Sequence, residues 1–286
     1  MTENRFRNAG IIGCGVMGSG IAEVMAIHGM DVIICEADQV RLEKGIDQIR
    51  LSIQKSISRG LITNSELDKA LDRIKSTTRL EDLDHVDIII EAVNEKMELK
   101  KQIFHDLEHI CAPDTILASN TSSISITEIA SITMTPGRVI GMHFFNPVPI
   151  NPVVEVIPGI LTDKRVIELV YTLASSLGKT PVLVKDHPGF LVNLLLIPFL
   201  LDAIRWYASG LASKEDMDKA IKLGLNHPMG PLILVDLIGL DTVMLIADSL
   251  ILNLHDSRYS APPLLRQMVS AGMLGRKTKK GFYEYD

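Results

Sequence analysis

Hydrophobic positions follow one rhythm up to about residue 187 and another after it. In the first part, short runs of aliphatic and β-branched residues recur between longer stretches of mixed polarity. The runs are NAGIIG (8–13), DVIICE (31–36), VDIIIEAV (86–93), TILASN (115–120), RVIGMHF (138–144), VVEVI (153–157) and TPVLVK (180–185). Most are apolar at successive positions, the pattern of strands covered on both faces. Helical segments are predicted between them, from the first glycines to about 29 and over 38–59, 96–111 and 163–177, the last closed by Gly178. Thr63 starts another helix, with Glu66 three residues on as a capping box. Residues 38–75 therefore read as a helical hairpin inserted into the alternation. Strands alternating with helices predict an α/β chain with a mostly parallel, doubly wound sheet.

After DHPGF (186–190) the strand signal stops, and helices account for the pattern to about 275. Ser213 with Asp216, and Pro231 after Gly230, mark helix starts. The boundary predicted is 1–187 for the α/β domain and 188–286 for an all-α domain. The run FLVNLLLIPFLL (190–201) is too short to span a bilayer and is interrupted by Asn193 and Pro198, so it reads as a buried core helix. A helical unit this rich in Leu and Ile is expected to form a homodimer.

Composition narrows the function. The 286 residues are 47% hydrophobic and 22% charged, enough for a sizeable core. A formal net charge of −6 argues against a nucleic-acid partner, which needs a basic face. Cys14, Cys35 and Cys111 lie far apart, without metal-type spacing, so no metal is expected and the sparse set suggests a reducing cytoplasm. The N-terminus has no apolar core of a secretory signal.

The first strand runs into GCGVMG, with Gly13, Gly15 and Gly18 at G-x-G-x-x-G spacing. That spacing alone is weak. Here it follows a strand, opens a helix, and the next strand ends in Glu36, which is the context of a dinucleotide fingerprint in a Rossmann-type domain. The first glycine permits the tight turn, the second lets backbone approach the pyrophosphate, and the third packs helix on sheet. Val16 and Met17 lie between the glycines, where helix N–H groups would meet phosphate. Glu36 can accept hydrogen bonds from ribose hydroxyls and would repel a 2′-phosphate, so NAD is the expected cofactor. The plainer reading is a glycine-rich turn of an α/β core.

Residues 143–156 read HFFNPVPINPVVEV. A nicotinamide enzyme acting on an alcohol needs a base for the hydroxyl proton, and histidine suits the task. His143 and Glu155 lie near the ends of neighbouring predicted strands, so a carboxylate could orient the imidazole. SNTSS (119–123) ends another strand and offers Ser122 as a hydroxyl donor. Against this stand a core histidine satisfied between two strands and a polar turn in which Ser125 and Glu128 cap the next helix.

Taken together, GCGVMGSGIA, IIIEAV, LASNTSS, HFFNPVP, PGFLVN, HPMGP and GRKTKKGFY resemble the L-3-hydroxyacyl-CoA dehydrogenase family over nearly the whole chain, nearest to its short bacterial 3-hydroxybutyryl-CoA members. The resemblance implies His143 as base, Glu155 as its partner, Ser122 near both substrate carbonyls and nicotinamide, and Asn193 beside the reacting oxygen. It implies that Glu95 and Lys100 line the ribose side of NAD, and that Asn146 and Lys277 also contact the cofactor. It further implies an L-3-hydroxy substrate and a dimer through the all-α domain.

Some positions depart from that family's pattern. The hairpin that would hold the nucleotide end of CoA reads SIQKSISRGLI, leaving Ser52, Lys55 and Arg59 as candidate contacts and Leu61 where a lysine is usual. Asn151, Pro152 and Val153 replace Met-Lys-Leu, and Lys279 stands where glycine is usual. Lost positive charge weakens phosphate attraction. An alternative substrate is therefore a hydroxyacyl group tethered to an acyl carrier protein, and a more distant alternative is a non-enzymatic, crystallin-like protein.

Overall fold

The computed structural model describes residues 6–58 and 63–286. Two compact units emerge, Met1–Asp186 and His187–Asp286.

In the first unit the chain runs β1 (Asn8–Ile12), α1 (Val16–Ile27), β2 (Asp31–Cys35), α2 (Gln39–Ser58), α3 (Asn64–Asp72), β3 (Ile74–Thr77), β4 (Ile88–Glu91), α4 (Met97–Ile110), β5 (Ile116–Ser119), α5 (Ile126–Ala130), β6 (Val139–Phe144), β7 (Val153–Pro158), α6 (Lys164–Ser176) and β8 (Thr180–Leu183). The eight strands form one sheet in the order β3-β2-β1-β4-β5-β6-β7-β8. Strands β1 to β6 are parallel, whereas β7 pairs antiparallel with β6 and parallel with β8. The central strands β4 and β5 are buried at every position, as expected for strands with helices on both faces.

The sequence reading carried the hairpin to residue 75, and the structure corrects this. Helix α3 ends at Asp72 and the next residues form the edge strand β3, IKST. Its register with β2 runs from Val32↔Ile74 to Cys35↔Thr77. Four residues with a central Lys-Ser pair carry no hydrophobic signal, because an edge strand needs little apolar cover and a charge there discourages further pairing. The Glu66 side chain, expected to cap α3, lies outside the described residues.

In the second unit α7 (Val192–Ala208), α8 (Lys214–Gly224), α9 (Pro231–Ile238), α10 (Leu240–Leu254) and α11 (Pro263–Ser270) enclose a separate core built on Ile197, Leu201, Leu232, Val243, Leu250 and Leu265. Ser213 caps α8 by accepting from the Asp216 N–H, and Pro231 opens α9, as the sequence indicated. Pro198 lies inside α7. A proline has no N–H to offer the carbonyl four residues back. That carbonyl, of Leu194, instead accepts the hydroxyl of buried Tyr259 at 3.1 Å.

The tail is held by two buried carboxylates. Asp236 accepts the Phe282 and Tyr283 N–H groups and the Tyr285 hydroxyl, each at 2.9 Å. Asp218 accepts from Leu232 N, Ile233 N and the Tyr283 hydroxyl. Burial, followed by the bond to Asp236, pushes the Tyr285 hydroxyl up to about 12. Lys279 sits in this turn with φ +59°, a left-handed conformation that costs any side chain and accounts for a preference for glycine.

Candidate functional site

The parallel register brings chemistry-bearing residues to one edge of the sheet. Ile12 of β1 lies beside Glu91 of β4, Glu91 beside Ser119 of β5, and Ser119 beside Gly141 of β6. The glycine loop, Glu91, SNTSS and His143 therefore leave or flank the carboxyl ends of adjacent strands, where ligands bind in open α/β sheets.

On β6 and β7, His143 and Glu155 are direct cross-strand partners. His143 Nδ1 lies 2.7 Å from Glu155 Oε2, with both side chains buried. An ionised carboxylate can only accept, so this contact puts the Nδ1 proton on the bond and the ring's acceptor lone pair on Nε2. The Phe145 ring lies 4.4 Å from the imidazole, centroid to centroid. The prolines of HFFNPVPINPVVEV sit in the connection between the two strands. Lys179, itself buried, donates to the Val148 and Asn151 carbonyls of that connection at 2.6 and 2.8 Å. Burial pushes the Lys179 ammonium down and nearby Glu23 pulls it back up.

SNTSS is held from both sides. The Asn120 amide oxygen accepts the Phe144 N–H at 2.9 Å, tying the turn to the strand that carries His143. Glu95 Oε1 accepts Thr121 Oγ1 at 2.5 Å, Ser122 N at 2.9 Å and Ser123 N at 3.1 Å. Burial pushes the Glu95 carboxyl up, but the Lys100 ammonium and the bonds from Thr121 and Ser122 outweigh it and leave it below its ordinary value. Ser125 caps α5 through Glu128 N, and Asp186 accepts Ser125 Oγ, Ile126 N and Thr127 N at the same helix start.

Lys100 is 1% exposed. Its Nζ lies 2.7 and 2.9 Å from the Glu91 carboxylate and 3.3 Å from Glu95 Oε2. Glu91 also accepts Val93 N at 2.7 Å and Ser119 Oγ at 2.6 Å. The family resemblance places Glu95 and Lys100 toward the cofactor, and in the fold both also organise the protein's own turn. Glu91 was missed, although a glutamate closing the run IIIE is a signal, since a charge in a fully buried strand needs a partner.

A cavity of about 750 Å³ opens at the glycine loop. Gly13, Gly15, Val16 and Glu36 line it, as do Arg41 and Lys44 of α2. Gly13 has φ +98°, and a Cβ on Gly18 would meet the Gly13 carbonyl oxygen at 1.9 Å, so side chains at these positions would disrupt the turn. A Cβ on Gly15 meets nothing within 4 Å, and α1 begins at Val16 with no side chain capping it. Glu36 accepts the Cys14 N–H at 3.1 Å. These are the features a dinucleotide requires: a tight turn, open backbone for phosphate, and a carboxylate at the end of β2. The Met17 side chain packs against the core.

The geometry meets the comparisons with known proteins at this point. A family model described as 3-hydroxyacyl-CoA dehydrogenase, NAD binding domain, matches residues 8–187, and the C-terminal domain of the same family matches 189–285. The chain belongs to the 3-hydroxyacyl-CoA dehydrogenase family. Its first unit is the family's NAD-binding domain, and the chain is an NAD-dependent oxidoreductase. It is 49% identical to a 3-hydroxybutyryl-CoA dehydrogenase of Clostridioides difficile, over 96% of this chain and 98% of that one. It is 46% identical to one from Mycobacterium tuberculosis, over 99% and 100%. Among solved structures, (S)-3-hydroxybutyryl-CoA dehydrogenase PaaH1 of Ralstonia eutropha matches with a TM-score of 0.93 at 43% identity, covering 98% of this chain and 99% of that one.

The remaining candidates are placed as follows. Asn146 is exposed, just before Pro147. Ser52 is half-buried on α2, near the carboxyl of buried Glu23, while Lys55 is exposed. Arg59 and Leu61 lie outside the described residues. In the second unit, Asn193 is buried in the first turn of α7, and Lys277 pairs with Asp241. No helix among the described residues is long and apolar enough to cross a membrane.

Proposed function

We propose that this dehydrogenase oxidises a short-chain L-3-hydroxyacyl-CoA, such as 3-hydroxybutyryl-CoA, to the 3-ketoacyl-CoA, and catalyses the reverse. The observation that carries the reading is the buried 2.7 Å contact between His143 Nδ1 and Glu155 Oε2 on adjacent strands. With Nδ1–H given to Glu155, His143 receives the substrate's hydroxyl proton at Nε2 as the O–H electron pair closes the carbonyl. Bound NAD supplies the acceptor for the hydride leaving C3. Glu155 stabilises the imidazolium that forms, and in the reverse direction His143 returns the proton. Ser122, whose backbone N–H Glu95 accepts, would rotate its hydroxyl from Glu95 to donate toward the substrate oxygens. Glu36 would accept from the cofactor ribose, and the N–H groups at the start of α1 would hold its pyrophosphate.

Asn193, Asn146 and Lys277 are assigned as further contacts on the family resemblance, with Ser52, Lys55 and Arg59 toward the CoA end. The homodimer is supported by Leu195, Leu245 and Leu252, which α7 and α10 leave exposed. Sedimentation velocity measures it.

The test is steady-state reduction of acetoacetyl-CoA by NADH. His143→Gln should lower kcat by about two to four orders of magnitude, the range for a general base, without changing NADH affinity. Near-normal kcat in that variant removes His143 from the role. The second reading, a carrier-protein thioester, is favoured by Leu61 and by Asn151–Val153, where the family pattern holds lysines. Negligible turnover of acetoacetyl-CoA beside good turnover of a carrier-bound 3-ketoacyl group would establish it.

A further inference from the structure

Helix α2 presents residues 41, 44, 45 and 48 to the cavity at the glycine loop. These positions share one helical stripe, while Leu42, Ile49 and Ile53 of the same helix enter the core. The helix sits unusually close. A Cβ on Gly45 would lie 2.0 Å from Cys14 Sγ and 2.5 Å from the Cys14 carbonyl, so only glycine lets α2 dock on the loop at this distance. The side chains flanking Gly45 on that stripe are thereby fixed beside the end of β2.

Charges lining this end of the cavity are Glu36, Arg41, Lys44, Arg79 and Glu81. Arg79 pairs weakly with Glu81 at 3.7 Å and with Asp82 at 3.9 Å. Arg41 uses its backbone N–H to bond Asp38, at 2.8 Å. Among the described residues, neither the Arg41 guanidinium nor the Lys44 ammonium is engaged by a carboxylate. Two cations without a carboxylate partner therefore stand on a cavity wall whose carboxylates are Glu36 and the Arg79-paired Glu81.

We propose that Arg41 and Lys44 form a latent site for the 2′-phosphate of an NADP-type cofactor, and that the Glu36 carboxylate keeps it closed. The inference rests on the reading of this cavity as the adenosine half of the NAD site. A 2′-phosphate would project from the ribose toward the end of β2, where a carboxylate repels it and nearby arginine or lysine attracts it. Removing Glu36's charge leaves Glu81, which Arg79 already pairs, as the other carboxylate lining this cavity. Glutamine is the conservative change, because its amide oxygen can still accept the Cys14 N–H that Glu36 holds at 3.1 Å.

The experiment titrates wild type, Glu36→Gln, Glu36→Ser and Glu36→Gln/Arg41→Ala/Lys44→Ala with adenosine 2′,5′-bisphosphate by calorimetry, and with NADH and NADPH by fluorescence. Wild type should bind NADH and discriminate against NADPH and the bisphosphate. Either single variant should gain about tenfold in bisphosphate affinity, the size of one like-charge repulsion removed in a solvated pocket. The gain should shrink with added salt and disappear in the triple variant. If wild type binds NADH but neither folded single variant gains affinity, or if the triple variant keeps the gain, the latent site is overturned and the NAD reading stands. If wild type fails to bind NADH, the reading beneath it falls as well.

Discussion

Lys100→Met tests whether the buried charges behind SNTSS are structural. The lysine ammonium and the Glu91 carboxylate are 1% and 0% exposed, and the ammonium lies within 2.9 Å of both carboxylate oxygens. Methionine fills a similar volume but leaves the Glu91 carboxyl buried without its cation, with only Val93 N–H and the Ser119 hydroxyl as donors. Breaking one side of such a pair costs about 3–5 kcal/mol. At about 2–4 °C per kcal/mol for a unit of this size, the melting transition should fall by on the order of 10 °C. Glu91→Gln/Lys100→Met removes the stranded acid, keeps an amide oxygen to accept the Val93 N–H and presents Nε2 as a donor to the Ser119 hydroxyl oxygen, so it should recover at least half of the loss. Differential scanning calorimetry of the full chain reads both numbers, and an NADH titration of each variant reads the cofactor. A Lys100→Met melting point within about 2 °C of wild type, less than 1 kcal/mol by the same scale, combined with a large loss of NADH affinity, would refute this argument. It would leave the direct cofactor contact implied by the family resemblance as the role of Lys100.

Three further outcomes are expected. Tyr259→Phe strips the hydroxyl that satisfies the Leu194 carbonyl beside Pro198, and should destabilise the second unit by about 1–3 kcal/mol in urea melts. Lys279→Gly relieves a left-handed residue and should stabilise by about 1 kcal/mol with kcat unchanged, so a loss of stability would contradict the strain. The Glu95 carboxyl is held below its ordinary value of 4.5, so its contribution is complete above that pH and is lost as pH falls through the lower native value. The melting-point gap between wild type and Glu95→Gln should therefore narrow on acidification below about pH 4.5, and a widening gap would reverse the sign of the shift.

What the chain alone determines here follows from periodicity and from residues with few conformational choices. Continuous apolar runs such as IIIE and ILAS mark strands because two covered faces leave no room for alternation. GCGVMG marks a turn because a side chain at Gly18 would collide with the Gly13 carbonyl. His143 and Glu155 are legible as a pair because hairpin-like strands bring sequence neighbours across from one another, and the structure places them in direct register. The strand β3 is not legible, since an edge strand of polar residues has no core to write into its sequence. Nor are the partners of long-range charges. Lys100 reads as a helix lysine until the fold lays it against Glu91 on a strand nine positions earlier. Lys179 reads as a turn residue until it reaches two carbonyls of the connection between β6 and β7. Arg41 and Lys44 read as a solvated helix face until Gly45 docks that face against the nucleotide loop. Local patterns fix which elements form, because each residue's burial is dictated by its own helix or strand. Which charge meets which depends on how those elements pack, and that is decided only when the chain is folded.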